Sequence, residues 1–67
     1  MDHAEETRTV VNEHVAAAYV SLAVQSLRNR RFKNEPPAYY KIGRSVRYRI
    51  EDLEEFLMKH RIDPEAA

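Results

Sequence analysis

The chain has 67 residues, with no cysteine and a single glycine. The absence of cysteine excludes a disulfide scaffold and a zinc site with thiolate ligands. One glycine is too few for a glycine-rich loop that wraps phosphate groups. No apolar run approaches the roughly 20 residues of a membrane span, and the acidic, polar start of the chain is unlike a signal peptide. These absences predict a soluble, cytoplasmic protein without a membrane partner.

Groups suited to catalysis or metal binding are also sparse. The three histidines, His3, His14 and His60, lack the tight spacing of metal ligands, so each is expected to be structural. Serine, histidine and aspartate all occur, but no pattern places a nucleophile, a base and an orienting acid together. We therefore expect neither an enzyme nor a metal or cofactor site.

The length allows one domain at most. A domain of this size buries only about 60% of the surface of its unfolded chain, so its stability should be marginal. Residues 1–8 and 63–67 are polar and predict flexible tails. The folded domain is therefore expected to occupy residues 9–62.

Positive charge is concentrated in the middle of the chain. Residues 28–49 contain eight basic residues and one acidic residue, a net charge of +7, whereas residues 1–27 carry −3 and residues 50–67 carry −4. The neutral total therefore conceals a strongly dipolar molecule. A compact basic zone of this kind is the electrostatic signature expected for a polyanionic partner.

Two helices are predicted before and within this zone. Asn12 is a candidate N-cap for a short, alanine-rich helix over residues 13–20. Ser21 and Leu22 interrupt the pattern, and a second helix is predicted over residues 23–32. Val24 and Leu27 are its expected core anchors. Arg31 lies on the same side, where we expect it to lay its aliphatic stem on the core and pair with an acid rather than contact the polyanionic partner.

The next segment has the pattern of a β-hairpin. Asn34 is expected to end the second helix in the left-handed conformation, and Pro36 and Pro37 prevent a helix from resuming. Residues 39–50 alternate between apolar and polar side chains, and a turn is predicted at residues 43–45. One apolar and one basic face are predicted. The apolar residues are Tyr40, Ile42, Val46, Tyr48 and Ile50, and the basic residues are Lys41, Arg47 and Arg49.

The clearest helical pattern follows the hairpin. Leu53, Phe56, Leu57 and His60 are spaced as one face of a helix over residues 51–61. The order of elements predicts a small α+β fold: two short helices, a β-hairpin wing and a C-terminal capping helix. Because the second helix and the hairpin share the positive charge, this order favours a winged helix-turn-helix that binds DNA.

The sequence also carries a motif that extends from Val11 to Leu57. Its strongest positions are Leu27, Arg28, Asn29, Arg31, Pro37, Lys41, Ile42, Gly43, Arg44, Val46, Arg47, Tyr48, Asp52, Leu53, Phe56 and Leu57. With this spacing the chain resembles the small winged helix-turn-helix family of phage and plasmid excisionases, AlpA-type prophage regulators and the DNA-binding domains of MerR regulators. The resemblance covers most of the chain.

Four positions depart from the pattern of that family. Ser21 replaces the usual Gly of the helix–helix turn, and Ala23 replaces the usual Ser or Thr cap of the recognition helix. Arg30 occupies a position where Trp or Tyr is common, and Asn34 replaces a usual Gly. The first two changes are expected to loosen the start of the recognition helix, and none argues against DNA binding.

On this architecture the polar residues of the second helix and the hairpin receive roles. Four residues of the recognition helix are candidates for base contacts: Gln25, Ser26, Arg28 and Asn29. Five residues are candidates for phosphate contacts: Arg30, Lys33, Lys41, Arg47 and Arg49. Arg44, at the wing tip, is the candidate for minor-groove insertion. Arg28 is compatible with a guanine contact and with a phosphate clamp. Most of the three tyrosines Tyr39, Tyr40 and Tyr48 are expected to pack the hairpin against the core, with a position near the DNA backbone as the alternative for Tyr39.

The resemblance implies a bacterial or phage-encoded, nucleoid-associated protein that binds double-stranded DNA. Two tasks fit it: a recombination directionality factor that bends attachment-site DNA and recruits an integrase, or a small transcriptional regulator. The small footprint of one domain predicts cooperative self-association on tandem sites. The alternative is an adaptor of wing fold that docks on an integrase or another partner through its acidic surfaces.

Overall fold

The computed structural model describes residues 9–65. Its elements, in chain order, are β1 (Val10–Asn12), α1 (Glu13–Tyr19), α2 (Val24–Phe32), β2 (Tyr40–Ile42), β3 (Ser45–Arg49) and α3 (Ile50–Lys59). Three helices and a three-stranded antiparallel sheet make a small α+β domain, which confirms the predicted class. The tails predicted for residues 1–8 and 63–67 lie outside the described residues, except for residues 63–65.

Helix α1 begins at the predicted cap. Asn12 has extended backbone angles, and its Oδ1 accepts a hydrogen bond of 2.9 Å from the amide of Val15. At the other end Ser21 has a φ of 60°. The Ser21 amide donates to the Ala18 carbonyl, and the next amide, of Leu22, donates to the Ala17 carbonyl. This pair of bonds closes the helix with a left-handed residue, so Ser21 performs a turn that usually requires Gly.

Helix α2 starts and ends differently from α1. Ala23 occupies the N-cap position with extended angles but has no side-chain hydrogen bond to the first turn. Asn34 follows the helix with a φ of 60°, as predicted. Its amide donates to the Arg31 carbonyl, and the amide of Glu35 donates to the Arg30 carbonyl. The C-terminus of α2 is therefore closed by hydrogen bonds, whereas its N-terminus lacks a side-chain cap.

The predicted hairpin is present, with a shorter turn. Ile42 lies directly opposite Ser45, so the turn consists of Gly43 and Arg44. Gly43 has a φ of 61°, in the left-handed region that glycine adopts without a steric penalty.

The predicted division of the hairpin into an apolar and a basic face is wrong. Tyr40 lies opposite Arg47, and Lys41 lies opposite Val46. Directly opposite residues of an antiparallel pair lie on the same face. Tyr40 therefore shares the face of Arg47, while Lys41 shares the face of Val46. A turn over residues 43–45 would have paired Ile42 with Val46, and the shorter turn shifts the register by one residue, which exchanges the faces of β2.

The first strand of the sheet has no counterpart in the sequence-based expectations. β1 pairs with β3, with Val11 opposite Tyr48, and the strand order β1-β3-β2 makes β3 the central strand. The amide of Ile50 extends this pairing by donating to the carbonyl of Thr9. The only local signal is a run of three β-branched residues, Thr9, Val10 and Val11, which is too short to identify a strand.

All three helices and the central strand contribute to one core. Its buried residues are Ala16, Ala17 and Val20 of the α1 region, Leu27 of α2, Tyr48 of β3, and Leu53 and Phe56 of α3. Val24 packs against this cluster from α2, as predicted. The expected tyrosine packing is confirmed for Tyr48, whereas Tyr40 is 46% exposed. Within residues 9–65 no helix has the length and apolar character needed to cross a membrane.

Candidate nucleic-acid interface

The outer face of α2 presents two amide side chains one helical turn apart. Gln25 and Asn29 are both exposed, because the opposite side of the helix is anchored by the buried Leu27. The Gln25 Nε2 atom donates to the Asn29 Oδ1 atom over 3.1 Å. This bond leaves the Oε1 atom of Gln25 and the Nδ2 atom of Asn29 with no protein partner within residues 9–65. An acceptor and a donor are therefore available side by side, as base-edge contacts require. Ser26, the third candidate of this kind, is half-buried.

Arg28 is held by an acid from the preceding helix. Its Nη2 atom lies 2.7 Å from the Oε2 atom of Glu13, and its Nε atom lies 3.2 Å from the same oxygen. The hydrogen bond from Arg28 is the main cause that lowers the pKa of Glu13 below its ordinary value of 4.5, and the positive charge of Arg31 lowers it further. Glu13 is therefore ionised at neutral pH. The Arg28 side chain remains 45% exposed despite this pairing.

Arg31 joins the same acid to the core. Its Nη1 atom lies 3.3 Å from the Oε1 atom of Glu13 and donates to the hydroxyl oxygen of Tyr48 over 2.9 Å. Its guanidinium also lies 5.6 Å from the centre of the Tyr39 ring. The prediction that Arg31 pairs with an acid on the core side of α2 is confirmed.

Among residues 9–65, two of the five candidate phosphate contacts, Arg30 and Arg49, have an acidic partner within 4 Å. Arg30 donates to the carbonyl of Pro36 over 3.0 Å, and its guanidinium lies 5.0 Å from the centre of the Phe56 ring. Arg49 forms a double hydrogen bond to the carboxylate of Asp52, which is the main cause that raises the arginine pKa above its ordinary value. Arg30 thus faces α3, and Arg49 joins β3 to the start of α3.

Five lysines and arginines have no carboxylate partner among the residues that the structure describes. One of them is Lys59 at the end of α3, and we call the other four the free cations. They are Lys33, Lys41, Arg44 and Arg47. Lys33 immediately follows α2, and the other three belong to the hairpin. Arg47 makes only a local bond to the carbonyl of Val46. Because a cation without an internal partner gives up no ion pair to bind a phosphate, these four residues are the most available phosphate contacts.

Arg31 lies between the face of α2 and the hairpin tip. It borders one shallow recess together with Gln25, Asn29 and Phe32. It also borders a second recess together with Arg44 and other residues of the hairpin. The candidate base contacts and the candidate minor-groove residue therefore flank one central side chain, and together they define the candidate interface.

Two residues of this surface were missed by sequence reasoning. Phe32 is 90% exposed on the same side of α2 as Asn29, and its position at the edge of the polar face is the only signal in the sequence. Glu13 contacts Arg28 across 15 positions of the chain, a separation at which no periodic pattern predicts a pair. Phe32 adds an apolar surface, and Glu13 adds a negative charge, to a zone that was expected to be polar and basic.

The described part of the chain offers little for metal binding. No group of three His, Asp or Glu side chains within residues 9–65 is arranged to hold a metal ion. The Nδ1 atom of His60 lies 2.9 Å from the carbonyl oxygen of Phe56, and the two rings are 4.5 Å apart. His60 thus has a structural role at the end of α3.

Comparison of the chain with protein-family models, with curated proteins and with solved structures found no match in any of the three. The resemblance to the excisionase, AlpA-type and MerR-type winged helix-turn-helix proteins therefore remains a prediction that rests on the motif residues.

Proposed function

We propose that this chain is a non-catalytic protein of winged helix-turn-helix type that binds double-stranded DNA. Helix α2 enters the major groove, and the β2–β3 hairpin acts as the wing that contacts the neighbouring backbone or minor groove. Excision of a mobile element and regulation of transcription are both compatible tasks, since each needs only the DNA-binding surface and a protein partner such as an integrase or a polymerase subunit.

The observation that carries the proposal is the distribution of the free cations. Arg28, Arg30, Arg31 and Arg49 each have an acidic partner within 4 Å. Of the five lysines and arginines without such a partner among residues 9–65, four lie at the end of α2 and on the hairpin, and the fifth, Lys59, lies at the end of α3. A soluble domain with eleven acidic and eleven basic residues has enough acids to pair these cations as well. The lack of a carboxylate partner for the free cations within residues 9–65, on two elements that follow each other in the chain, supports a polyanion as the partner.

The shape of α2 and its neighbours supports the same proposal. A left-handed residue makes the connection between α1 and α2 tight, and the two helices pack against each other. This arrangement leaves the outer face of α2 open. Amide side chains on that face match the donor and acceptor pair of adenine in the major groove, which supports Gln25 and Asn29 as base contacts.

The hairpin supports a separate, sequence-tolerant contact. Arg44 lies in a two-residue turn at the tip, where a long cationic side chain can follow a narrow minor groove with enhanced negative potential. Lys41 and Arg47 lie on opposite faces of the hairpin. They are suited to phosphates on either side of the groove, which orient the protein without reading sequence.

The salt dependence of DNA binding tests the proposal. Fluorescence anisotropy with a labelled duplex from the neighbourhood of the gene, and with a random duplex, should give a logarithm of affinity that falls linearly with the logarithm of salt concentration. Arg44→Gln and Lys33→Gln should each reduce that slope by about 1. Arg61→Gln serves as the matched control, because Arg61 is also exposed but pairs with Asp63 beyond α3.

Two results would count against the proposal. The first is affinity for every duplex weaker than about 10⁻⁴ M, the weak end of ordinary non-specific binding. The second is an equal loss in the Arg61→Gln control and in the two interface variants. Either result would favour the adaptor function, in which the exposed acids Glu51, Glu54 and Glu55 of α3 form the docking surface.

A further inference from the structure

Arg28 is compatible with two kinds of DNA contact, one to the edge of a guanine and one to a phosphate. Its contact with Glu13 favours the first. A guanidinium carries five N–H donors in a planar fork. Glu13 approaches this fork from the side, where it accepts from Nε and from Nη2. The end of the fork, formed by Nη1 and the outer hydrogen of Nη2, has no partner among the described residues.

We propose that Glu13 is a specificity-determining residue that positions Arg28 to read a guanine in the major groove, an inference that rests on the proposed DNA-binding function. The free end of the fork offers two parallel donors. Guanine presents two acceptors, O6 and N7, along its major-groove edge, and a bidentate arginine is the contact that matches them. Glu13 thus acts through Arg28 and makes no base contact of its own.

The position of Glu13 beside Arg28 also disfavours the alternative, in which Arg28 binds a phosphate. The carboxylate of Glu13 lies 2.7 Å from the Arg28 guanidinium and 3.3 Å from that of Arg31. It therefore lowers the charge of this group of three side chains from +2 to +1, which weakens the attraction of a phosphate to Arg28. The negative charge of Glu13 would also repel a phosphate that approached Arg28. The edge of a guanine is neutral and accepts hydrogen bonds from the two N–H groups of Arg28. The negative charge of Glu13 therefore weakens a guanine contact much less than a phosphate contact.

The support for Arg28 extends into the core. Tyr48 is 1% exposed, and its hydroxyl accepts a hydrogen bond from Arg31, which in turn pairs with Glu13. Glu13 itself has only 18% of its side chain exposed, compared with 45% for Arg28. The buried Tyr48 is therefore connected through Arg31 and Glu13 to the exposed guanidinium of Arg28. Such support reduces the conformational entropy that Arg28 loses when it binds a base.

The test measures base preference position by position. Selection from a random duplex library identifies the preferred site, and each G·C pair of that site is then replaced by A·T. For the unmodified protein we expect one G·C replacement to weaken binding about 5- to 150-fold, the range of a bidentate contact. Glu13→Gln and Arg28→Lys should both abolish the preference at that position and keep the preferences elsewhere. Arg28→Lys retains the charge but lacks the fork.

Glu55→Gln is the matched control, because it removes one negative charge from an exposed side chain of α3 and should leave every preference unchanged. Far-UV circular dichroism verifies that each variant is folded. If Glu13→Gln does not fold, Glu13→Asp takes its place, because it keeps the negative charge but its shorter side chain does not reach Arg28 in the same geometry. Glu13→Asp should then weaken the guanine preference, and an unchanged preference would overturn the inference.

Three other outcomes overturn the inference. In the first, Glu13→Gln strengthens binding to every duplex by the same factor and changes no base preference. Glu13 would then affect binding only through its negative charge. In the second, Arg28→Lys leaves the guanine preference intact. In the third, the unmodified protein binds no duplex at all, and the proposed function then fails together with the inference. If the protein binds DNA and either of the first two results is obtained, the proposed function stands without the inference.

Discussion

At the scale of single residues, Glu13 and Arg31 connect the candidate interface to the core. Glu13 forms ion pairs with Arg28 and Arg31 of α2, and Arg31 also donates a hydrogen bond to Tyr48 of the central strand. Each arginine of α2 therefore has a distinct environment although all belong to one basic zone. The effect of substituting one of these arginines should therefore depend on the side chains that it contacts, and not only on the loss of one positive charge.

Two large apolar residues of α2 should differ in how much they contribute to the free energy of unfolding. Leu27 is fully buried, whereas Phe32 is 90% exposed. We expect Leu27→Ala to lower the free energy of unfolding by about 2 to 5 kcal/mol, through lost burial and a residual cavity. Phe32→Ala should change it by about 0.5 kcal/mol or less. Urea denaturation followed by circular dichroism measures both, and a similar loss in the two variants would contradict the burial assigned to these residues.

The pH dependence of stability should contain a contribution from Glu13. Because its pKa is lowered in the folded state, the unfolded chain binds the proton more tightly. The stabilisation is therefore present above the unfolded pKa, which is near the ordinary value of 4.5, and is lost as the pH falls through the lower folded value. Glu13→Gln should flatten the fall in the free energy of unfolding that occurs as the pH drops below the unfolded pKa of this glutamate.

Urea denaturation at a series of pH values measures this effect. Glu65→Gln is a suitable control, since Glu65 lies beyond α3 and is exposed. The assignment to Glu13 would be wrong if both variants retained the pH dependence of the unmodified protein.

At the scale of elements, the two ends of α2 differ in how completely their backbone groups are satisfied. The C-terminus is closed through Asn34, but Ala23 offers no side-chain acceptor at the N-terminus. The backbone of Ala23 already has the extended angles of an N-cap, with φ −70° and ψ 148°. The start of α2 therefore has the backbone of an N-cap and lacks only a side chain that accepts a hydrogen bond.

Ala23→Ser should stabilise the protein by about 1 kcal/mol, because serine at an N-cap accepts a hydrogen bond from the first turn. Ala18→Ser makes the same chemical change at an exposed position inside α1. There it should be destabilising by a few tenths of a kcal/mol, owing to the lower helix propensity of serine. Thermal unfolding compares the two variants. Equal effects would mean that Ala23 does not act as the N-cap position of α2.

At the scale of the whole molecule, the neutral total charge is divided unevenly in space. The acids of α3 and Glu13 neutralise part of the basic zone, and the free cations remain on the hairpin and at the end of α2. The domain is small, and within residues 9–65 seven residues form the buried hydrophobic core, so its stability without a partner should be marginal.

DNA should therefore stabilise the folded domain to a measurable extent. A duplex at 100 times its dissociation constant stabilises a native protein by about 2.7 kcal/mol, which corresponds to a rise in Tm of roughly 10 to 20 °C for a domain of this size. The rise should vanish at high salt, as the affinity falls. Far-UV circular dichroism, with a duplex that melts at a higher temperature, measures this shift. No rise at saturating DNA would contradict the proposed function.

Several elements were predictable because their signals are local in the chain. The Asn12 cap, the left-handed Asn34 and the hairpin each depend on the chemistry of a few consecutive residues. The position of Arg31 followed from helical periodicity, which relates residues within one turn. From these signals the α+β class and most helix boundaries could be derived before any three-dimensional information.

Features that join distant parts of the chain followed only from the folded structure. β1 forms because β3 offers it a partner 37 positions later, at Tyr48 opposite Val11. The faces of the hairpin depend on a turn one residue shorter than the pattern suggested, since alternation describes each strand but not their register. The sum of charges along the chain was visible at once, whereas the division into paired and free cations was not. An ion pair depends on distances in space, and those distances arise only when the helices pack.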